Sequence, residues 1–72
     1  MYKYRVIELP ENEEEIKHPE MDSQDDAKEM AKRIVSETHN WCEIERFNGQ
    51  EWQRGSIIYM WYFSRVCFYN RY

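Results

Sequence analysis

Two histidines and two cysteines are the residues of this chain best suited to bind a metal or to act as a nucleophile. His39 and Cys42 have an H-x2-C spacing, Cys67 lies near the carboxyl end, and His18 lies in an acidic stretch. Imidazole and thiolate are preferred zinc ligands, and a thiol beside a histidine is the minimal nucleophile–base pair. Structural zinc sites, however, normally carry paired motifs such as C-x2-C, which this chain lacks. The sequence therefore predicts no metal, no cofactor and no catalytic residue.

The cysteines are predicted to be reduced thiols that pack in the core. Small secreted domains usually carry four or more cysteines, and a free cysteine behaves as a small apolar residue. Neither glycine lies in a phosphate-binding pattern, so nucleotide binding has no support. No stretch reads as a signal peptide or is long and apolar enough to span a membrane, so the expected location is the cytoplasm.

Charge is distributed unevenly along the chain. Residues 8–29 hold ten acidic residues against two lysines, a balance of −8, although the whole chain has a net charge of −4. A compact group of carboxylates can mimic phosphates and dock on a basic protein surface, because complementary charge speeds the encounter. A solvated face that keeps the protein soluble is the simpler alternative. The predicted partner-binding residues are the acids of this region and one exposed aromatic residue: Glu13, Glu14, Glu15, Asp22, Asp25, Asp26, Glu29 and Trp52.

The amino-terminal region is predicted to be a strand followed by a loop. Residues 2–9 alternate between two faces with the period of two that a pleated strand imposes, and Pro10 ends the run. Residues 11–20 contain one apolar side chain, Ile16, among repelling carboxylates. This stretch is predicted to be an exposed, mobile loop.

A helix is predicted over about residues 23–39. Ser23 is a favourable N-cap, and Asp26 three residues later approximates a capping box. Asn40 is expected to take the left-handed position after the helix, which ends at His39-Asn40. An apolar stripe at helical spacing marks the face that packs on a sheet: Ala27, Met30, Ala31, Ile34 and Val35.

The carboxyl-terminal half is predicted to be a series of strands. Residues 41–47 have strand character, and Asn48-Gly49 predicts a hairpin with a type I′ turn. The next strand is expected to start near Glu51-Trp52 and to break at Gly55. From residue 56 both faces are apolar, which is typical of a central strand, and residues 66–72 can add a last one.

Together these elements predict an α+β fold, with residues 1–72 as a single domain. The order is β-α-β-β(-β), an antiparallel sheet of three to four strands with one amphipathic helix packed on one face. Aromatic residues make up 17% of the chain, enough to build a core in so short a sequence. One helix covers one face only, so either the acidic loop or another molecule must cover the aromatics of the other.

The layout resembles very small phage-encoded proteins, among them some anti-CRISPR inhibitors of β-α-β-β plan. The resemblance is carried by Tyr4-Arg5-Val6-Ile7, by the capped D-S-x-x-D-A-K-x-x-A-K helix over residues 22–32 and by the hairpin Phe47-Asn48-Gly49-Gln50. It implies a stoichiometric inhibitor that blocks a nucleic-acid-binding surface on a host effector, and hence a location in the host cytoplasm. The function predicted is that of a small acidic, non-catalytic interaction protein whose partner has a basic surface.

Two alternatives belong to other functional classes. The first is a nucleic-acid-binding accessory domain that uses Arg54, Arg65, Arg71 and neighbouring aromatic residues, since bases stack on such side chains. The acidic stretch would repel phosphate, so direct nucleic-acid binding is not predicted. The second alternative is a structural homodimer, in which a twofold axis doubles the apolar interface.

Overall fold

The computed structural model describes residues 2–70, apart from the side chain of Ser56. All neighbouring strands are antiparallel, in the spatial order β2-β1-β3-β4-β5. The α+β fold with one helix is thus confirmed, but the predicted three to four strands were too few, since the sheet has five. The elements are β1 (Lys3–Leu9), β2 (Ile16–Lys17), α1 (Gln24–Thr38), β3 (Trp41–Phe47), β4 (Trp52–Tyr62) and β5 (Arg65–Asn70).

Helix α1 is capped as the sequence indicates at its start but not at its end. The hydroxyl of Ser23 accepts a hydrogen bond from the main-chain N–H of Asp26 at 3.3 Å. At the other end His39, not Asn40, adopts the left-handed conformation, with φ 62°, and its N–H donates to the carbonyl of Val35. The helix thus ends at Thr38, one residue before the predicted end, and the side-chain amide of Asn40 donates to Glu8 of β1.

The core lies between α1 and one face of the sheet. Val6 of β1, Cys42 of β3 and Tyr59 of β4 project from that face and are buried against the apolar stripe of the helix. The opposite side of the sheet is called the open face here. It carries the alternate residues of each strand, among them Ile7, Glu43, Glu45 and Arg54.

The acidic segment between β1 and α1 is largely exposed, as predicted, but it is not a loop throughout. It contains β2, which pairs with β1, and the N–H of His18 then donates to the carbonyl of Val6 at 2.9 Å. Further along, Tyr4 and Met21 exchange two main-chain hydrogen bonds of 2.8 Å. The acidic segment buries few side chains, but its pairing with β1 holds it in place, because these hydrogen bonds satisfy main-chain N–H and C=O groups.

The hairpin predicted at Asn48-Gly49 is present, but its turn is not of type I′. The loop covers residues 48–51, and only Gly49 in it has a positive φ, at 98°. The side-chain carbonyl of Asn48 accepts hydrogen bonds from the N–H groups of Gln50 at 2.9 Å and Glu51 at 3.0 Å. Asparagine therefore stabilises the turn through its side chain rather than through a left-handed backbone.

Gly55 marks a bulge inside β4 rather than a break between strands. The register passes from Glu45↔Arg54 to Glu43↔Ile58, so that residues 55–57 of β4 lie opposite Ile44 alone. A tight turn occurs later, where Phe63 (φ 54°) and Ser64 (φ 59°) connect β4 to β5. As predicted, β4 is an inner strand, with β5 as the last; Arg71 and Tyr72 lie outside the described residues.

Candidate interaction surfaces

Arg54 is the centre of a charged network on the open face. Its guanidinium contacts three carboxylates, from Glu43 at 3.0 Å, Glu15 at 3.2 Å and Glu45 at 3.6 Å. The side chains of Glu43 and Glu45 are only 5% and 9% exposed. Buried carboxylates need paired charges and hydrogen bonds, and the planar fork of arginine donates to several at once.

A second arginine completes this network and orders an aromatic residue. Arg5 donates to Glu45 at 2.8 Å, and its guanidinium lies 3.9 Å from the centre of the Trp52 ring. The Trp52 ring also contacts Phe47, with 5.3 Å between ring centres. Trp52, one of the predicted partner-binding residues, is thus half-buried in contacts within the chain.

The contact between Glu15 and Arg54 brings the acidic segment onto the open face. Glu15 directly precedes β2, and β1 and β3 both lie between β2 and β4 in the sheet. The side chains therefore meet across these two strands. Ile7 of β1, which projects from the same face, is fully buried. The acidic segment accordingly lies over part of the open face, one of the two covers that the sequence allowed.

The predicted acidic residues fall into two groups rather than one patch. Glu13, Glu14 and Glu15 precede Ile16, which pairs with Glu8 near the end of β1. Asp22 follows Met21, which pairs with Tyr4 near its start. The anchors Tyr4 and Glu8 are four residue steps apart along β1, or about 13 Å. Asp25, Asp26 and Glu29 belong to the second group, on the first turns of α1.

Four of the ten acids in residues 8–29 have a basic side chain as partner. Glu15 pairs with Arg54, Asp22 with Lys3 and Glu29 with Lys32, and Glu8 contacts the ring of His18. The other six are exposed and form no ion pair within residues 2–70: Glu11, Glu13, Glu14, Glu20, Asp25 and Asp26. An exposed carboxylate without a counter-ion keeps its full charge available to a partner.

Glu8 holds together three parts of the chain near the end of α1. One carboxylate oxygen lies 2.9 Å from Nε2 of His18, and the other accepts a hydrogen bond of 2.6 Å from the amide of Asn40. Glu8 is buried, so both oxygens require such partners.

The other histidine, His39, makes an aromatic contact. Its ring stacks on that of Trp61, with 4.1 Å between the ring centres. Both histidines thus have structural contacts.

The two cysteines are free thiols on opposite faces of the sheet. Cys42 lies opposite Tyr59 in the core, whereas Cys67 lies opposite Met60 and is only half-buried. Core packing, predicted for both, holds for Cys42 alone. The described residues bring together no group of three or more His, Cys, Asp or Glu side chains able to hold a metal ion.

Cys42 is expected to be chemically inert in the folded protein. Burial, and secondarily the charge of Glu8, raises the pKa of its thiol from 9.0 to about 12. Since the thiolate is the reactive form, iodoacetamide at pH 8 should label Cys67 in the native protein and Cys42 only after unfolding. Equal labelling of both native thiols would contradict this assignment.

The raised pKa of Cys42 also predicts how stability depends on pH. Above about pH 9 the unfolded thiol ionises while the folded one stays neutral, so the free energy of unfolding measured in urea should fall as pH rises from 9 towards 12.

A cleft of about 430 Å³ lies between the start of α1 and the bulged part of the sheet. The ionisable groups in its walls are those of lysine, arginine and tyrosine side chains. The lining residues are Tyr4, Gln24, Lys28, Ile44, Arg46, Gln53, Arg54, Gly55, Ile57 and Tyr59.

An exposed aromatic edge is a surface whose residues are absent from the predicted partner-binding set. Strand β5 lies at one side of the sheet, and Phe63 and Phe68 are 78% and 67% exposed. Tyr62 and Tyr69 are also more than half exposed beside them. The signal for this edge in the sequence is the continuous apolar and aromatic run over residues 66–69. It cannot show which strand is outermost, because that depends on the pairing of the whole sheet.

Comparisons with protein-family models, with curated proteins and with solved structures found no match to this chain. Within residues 2–70, no helix combines the length and the apolar character needed to cross a membrane.

Proposed function

We propose that this chain is a small, non-catalytic interaction protein that binds a protein partner with a basic surface. The observation that carries the proposal is the set of six exposed carboxylates without ion pairs between residues 8 and 29. The basic side chains Lys3, Arg5 and Arg54 are meanwhile occupied by Asp22, Glu45 and the charged network. The uncompensated charge on this part of the surface is therefore negative.

The loop after β1 is the contact surface that the geometry favours. It carries Glu11, Glu13 and Glu14 within four residues, all exposed, and Asn12 between them has a positive φ of 64°. The loop is fixed at one end by β1 and at the other by the bond between Glu15 and Arg54. A contact surface that is ordered before binding loses less entropy on association. Glu15 accordingly positions the loop, and its neighbours supply the charge.

The specific form of this function that we propose is inhibition of a host nucleic-acid-targeting effector by a phage-encoded protein. The resemblance to small anti-CRISPR inhibitors supports it, together with the loop carboxylates, which can occupy positions that phosphates take on a basic surface. Such a protein would act in the host cytoplasm.

The test replaces two loop carboxylates and measures inhibition. A panel of guide-RNA-loaded CRISPR nucleases is first screened for one that the wild-type chain inhibits. The variant Glu13→Gln/Glu14→Gln should bind and inhibit that nuclease about tenfold more weakly at low salt. The slope of affinity against salt should also decrease. Glu37→Gln/Glu51→Gln, which removes the same charge from exposed residues elsewhere, is the matched control and should leave both quantities unchanged. Failure to inhibit any nuclease would overturn the specific form, and equal effects of the two variants would overturn the loop as contact surface.

Nucleic-acid binding is the second candidate, and the charged network counts against it. Arg54 is committed to three carboxylates, so that Arg65, on the exposed β5 edge, is the remaining described arginine of the predicted set. Fluorescence anisotropy with labelled single-stranded DNA separates the candidates. Saturable binding at physiological salt would favour nucleic acid over the protein partner.

A further inference from the structure

We propose that two copies of this chain associate through the outer edge of β5, about a twofold axis centred on Cys67. Strand β5 is six residues long, and no strand lies beyond it within residues 2–70. The edge strand on the other side of the sheet, β2, has only two residues. This surface is separate from the acidic loop, so the proposal stands independently of the function proposed above.

The outward-facing main-chain groups of β5 can be assigned from its turn. Tyr62 and Arg65 flank a two-residue turn whose central residues both have positive φ, as in a type I′ turn. Such flanking residues form a hydrogen-bonded pair, and these pairs alternate with non-hydrogen-bonded ones along an antiparallel ladder. Arg65, Cys67 and Tyr69 thus bond to β4. The alternate residues Val66, Phe68 and Asn70 direct their N–H and C=O groups to the open edge.

Strand β5 has few of the features that protect a sheet edge. It contains no proline, no lysine and no bulge, and its one charged side chain, Arg65, lies at its first position. Phe68 and Tyr69 project from opposite faces and are 67% and 56% exposed. A strand added beside them would cover apolar surface on both faces of the sheet at once.

Complementary side chains favour a second copy of β5 as the strand that pairs with this edge, and they also favour one register. In a twofold antiparallel pair centred on Cys67, Val66 lies opposite Phe68 of the second copy, and Arg65 lies opposite Tyr69 of the second copy. Arginine over an aromatic ring is a favourable pair, and the chain already uses it where Arg46 lies 4.5 Å from the centre of the Tyr2 ring. A register centred on Phe68 would instead bring Cys67 opposite Tyr69 and Val66 opposite Asn70, and would lose the pairing of Arg65 with Tyr69.

The area involved predicts an association that depends on concentration. From their exposed fractions, Phe68 and Tyr69 of two copies supply roughly 500 Å² of aromatic surface. The strand edges add to this, but the total stays near or below the roughly 1,200 Å² at the lower end of stable interfaces. Monomer and dimer should therefore both be populated.

The interface is tested by sedimentation of the full chain over a range of concentrations. The wild-type chain should shift from monomer to dimer, and Phe68→Lys should abolish the shift. Ile16→Lys, which introduces the same charge at an exposed apolar residue of β2, should still dimerise. A wild-type chain that stays monomeric at its highest soluble concentration would overturn the proposal, as would a dimer that persists in Phe68→Lys.

Oxidation of Cys67 tests the register. Directly opposed residues of a non-hydrogen-bonded pair have Cα atoms about 4.5 Å apart, within the range of a disulfide. With oxidised glutathione, two Cys67 thiols should form one S–S bond and release two protons and two electrons, which reduce the oxidant to two glutathione thiols. Peptide mapping should locate the bond at Cys67 in the wild type and show none in Phe68→Lys. A dimer in which Cys67 acquires only glutathione would refute this register.

Discussion

Gly55→Ala is expected to lower the free energy of unfolding by about 3 kcal/mol. A Cβ atom on residue 55 would lie 2.2 Å from the carbonyl oxygen of Ile44, in the facing strand. The clashing atom belongs to the backbone of β3, so no side-chain rotation can relieve the contact. Relief requires β3 and β4 to separate at the bulge, and this breaks the ladder beside the charged network.

Urea denaturation of Gly55→Ala, compared with that of Gly49→Ala, measures the cost of the clash with Ile44. Gly49 has a positive φ of 98°, but a Cβ atom there would meet no atom within 4 Å. Its replacement should cost only the backbone strain of a left-handed alanine, about 1–2 kcal/mol. An equal loss in the two variants would show that close approach to Ile44 is not what requires glycine at position 55.

Arg54→Met is expected to destabilise the fold by about 2–3 kcal/mol. Removing one partner of a buried ion pair typically costs about 3–5 kcal/mol, and the lower figure applies because the Arg54 side chain is 34% exposed. Methionine retains the apolar stem of arginine, so the loss is mainly that of the charge and its hydrogen bonds. The carboxylates of Glu43 and Glu45 would then lie close together without that guanidinium.

A double-mutant cycle with Glu43→Gln separates the ion pair from the rest of the network. The double variant should be less destabilised than the sum of the two single ones, because glutamine removes the buried charge of Glu43 that Arg54 would otherwise compensate. Glu15→Gln is the matched test for the loop, since it weakens only the exposed contact. Glutamyl endopeptidase should cleave after Glu13 and Glu14 faster in Glu15→Gln and in Arg54→Met. Additive losses and unchanged cleavage would refute the role of Arg54.

The elements with local signals were predictable from the sequence. Ser23 and the apolar stripe that starts at Ala27 define the helix, since both act within one or two turns. The limits of β3 and the position of its hairpin follow from alternation and from Asn48-Gly49. The turn type was wrong because the Asn48 side chain bonds to the main chain ahead of it, a competing interaction that residue types alone do not rank.

The features that depend on distant residues were not predictable. Strand β2 forms because β1 offers main-chain partners to a segment whose own composition disfavours a strand. The bulge at Gly55 depends on the Ile44 carbonyl facing it. The same limit applies to the candidate site: the acids were identified by type, but their separation into two groups follows from register along β1.

The topology concentrates the entropy cost of folding in a single step. Strands β3 and β4 are connected by four residues and β4 and β5 by two, whereas residues 10–40 intervene between β1 and β3. A short connection loses little entropy when its ends are brought together. The longer connection loses more, so β1 is expected to pair with β3 after the two hairpins have formed. The fifteen residues of α1 extend about 22 Å, close to the roughly 23 Å of a seven-residue strand. Once formed, the helix spans a distance equal to the length of β1, and this reduces the number of conformations that the chain must sample before β1 pairs with β3.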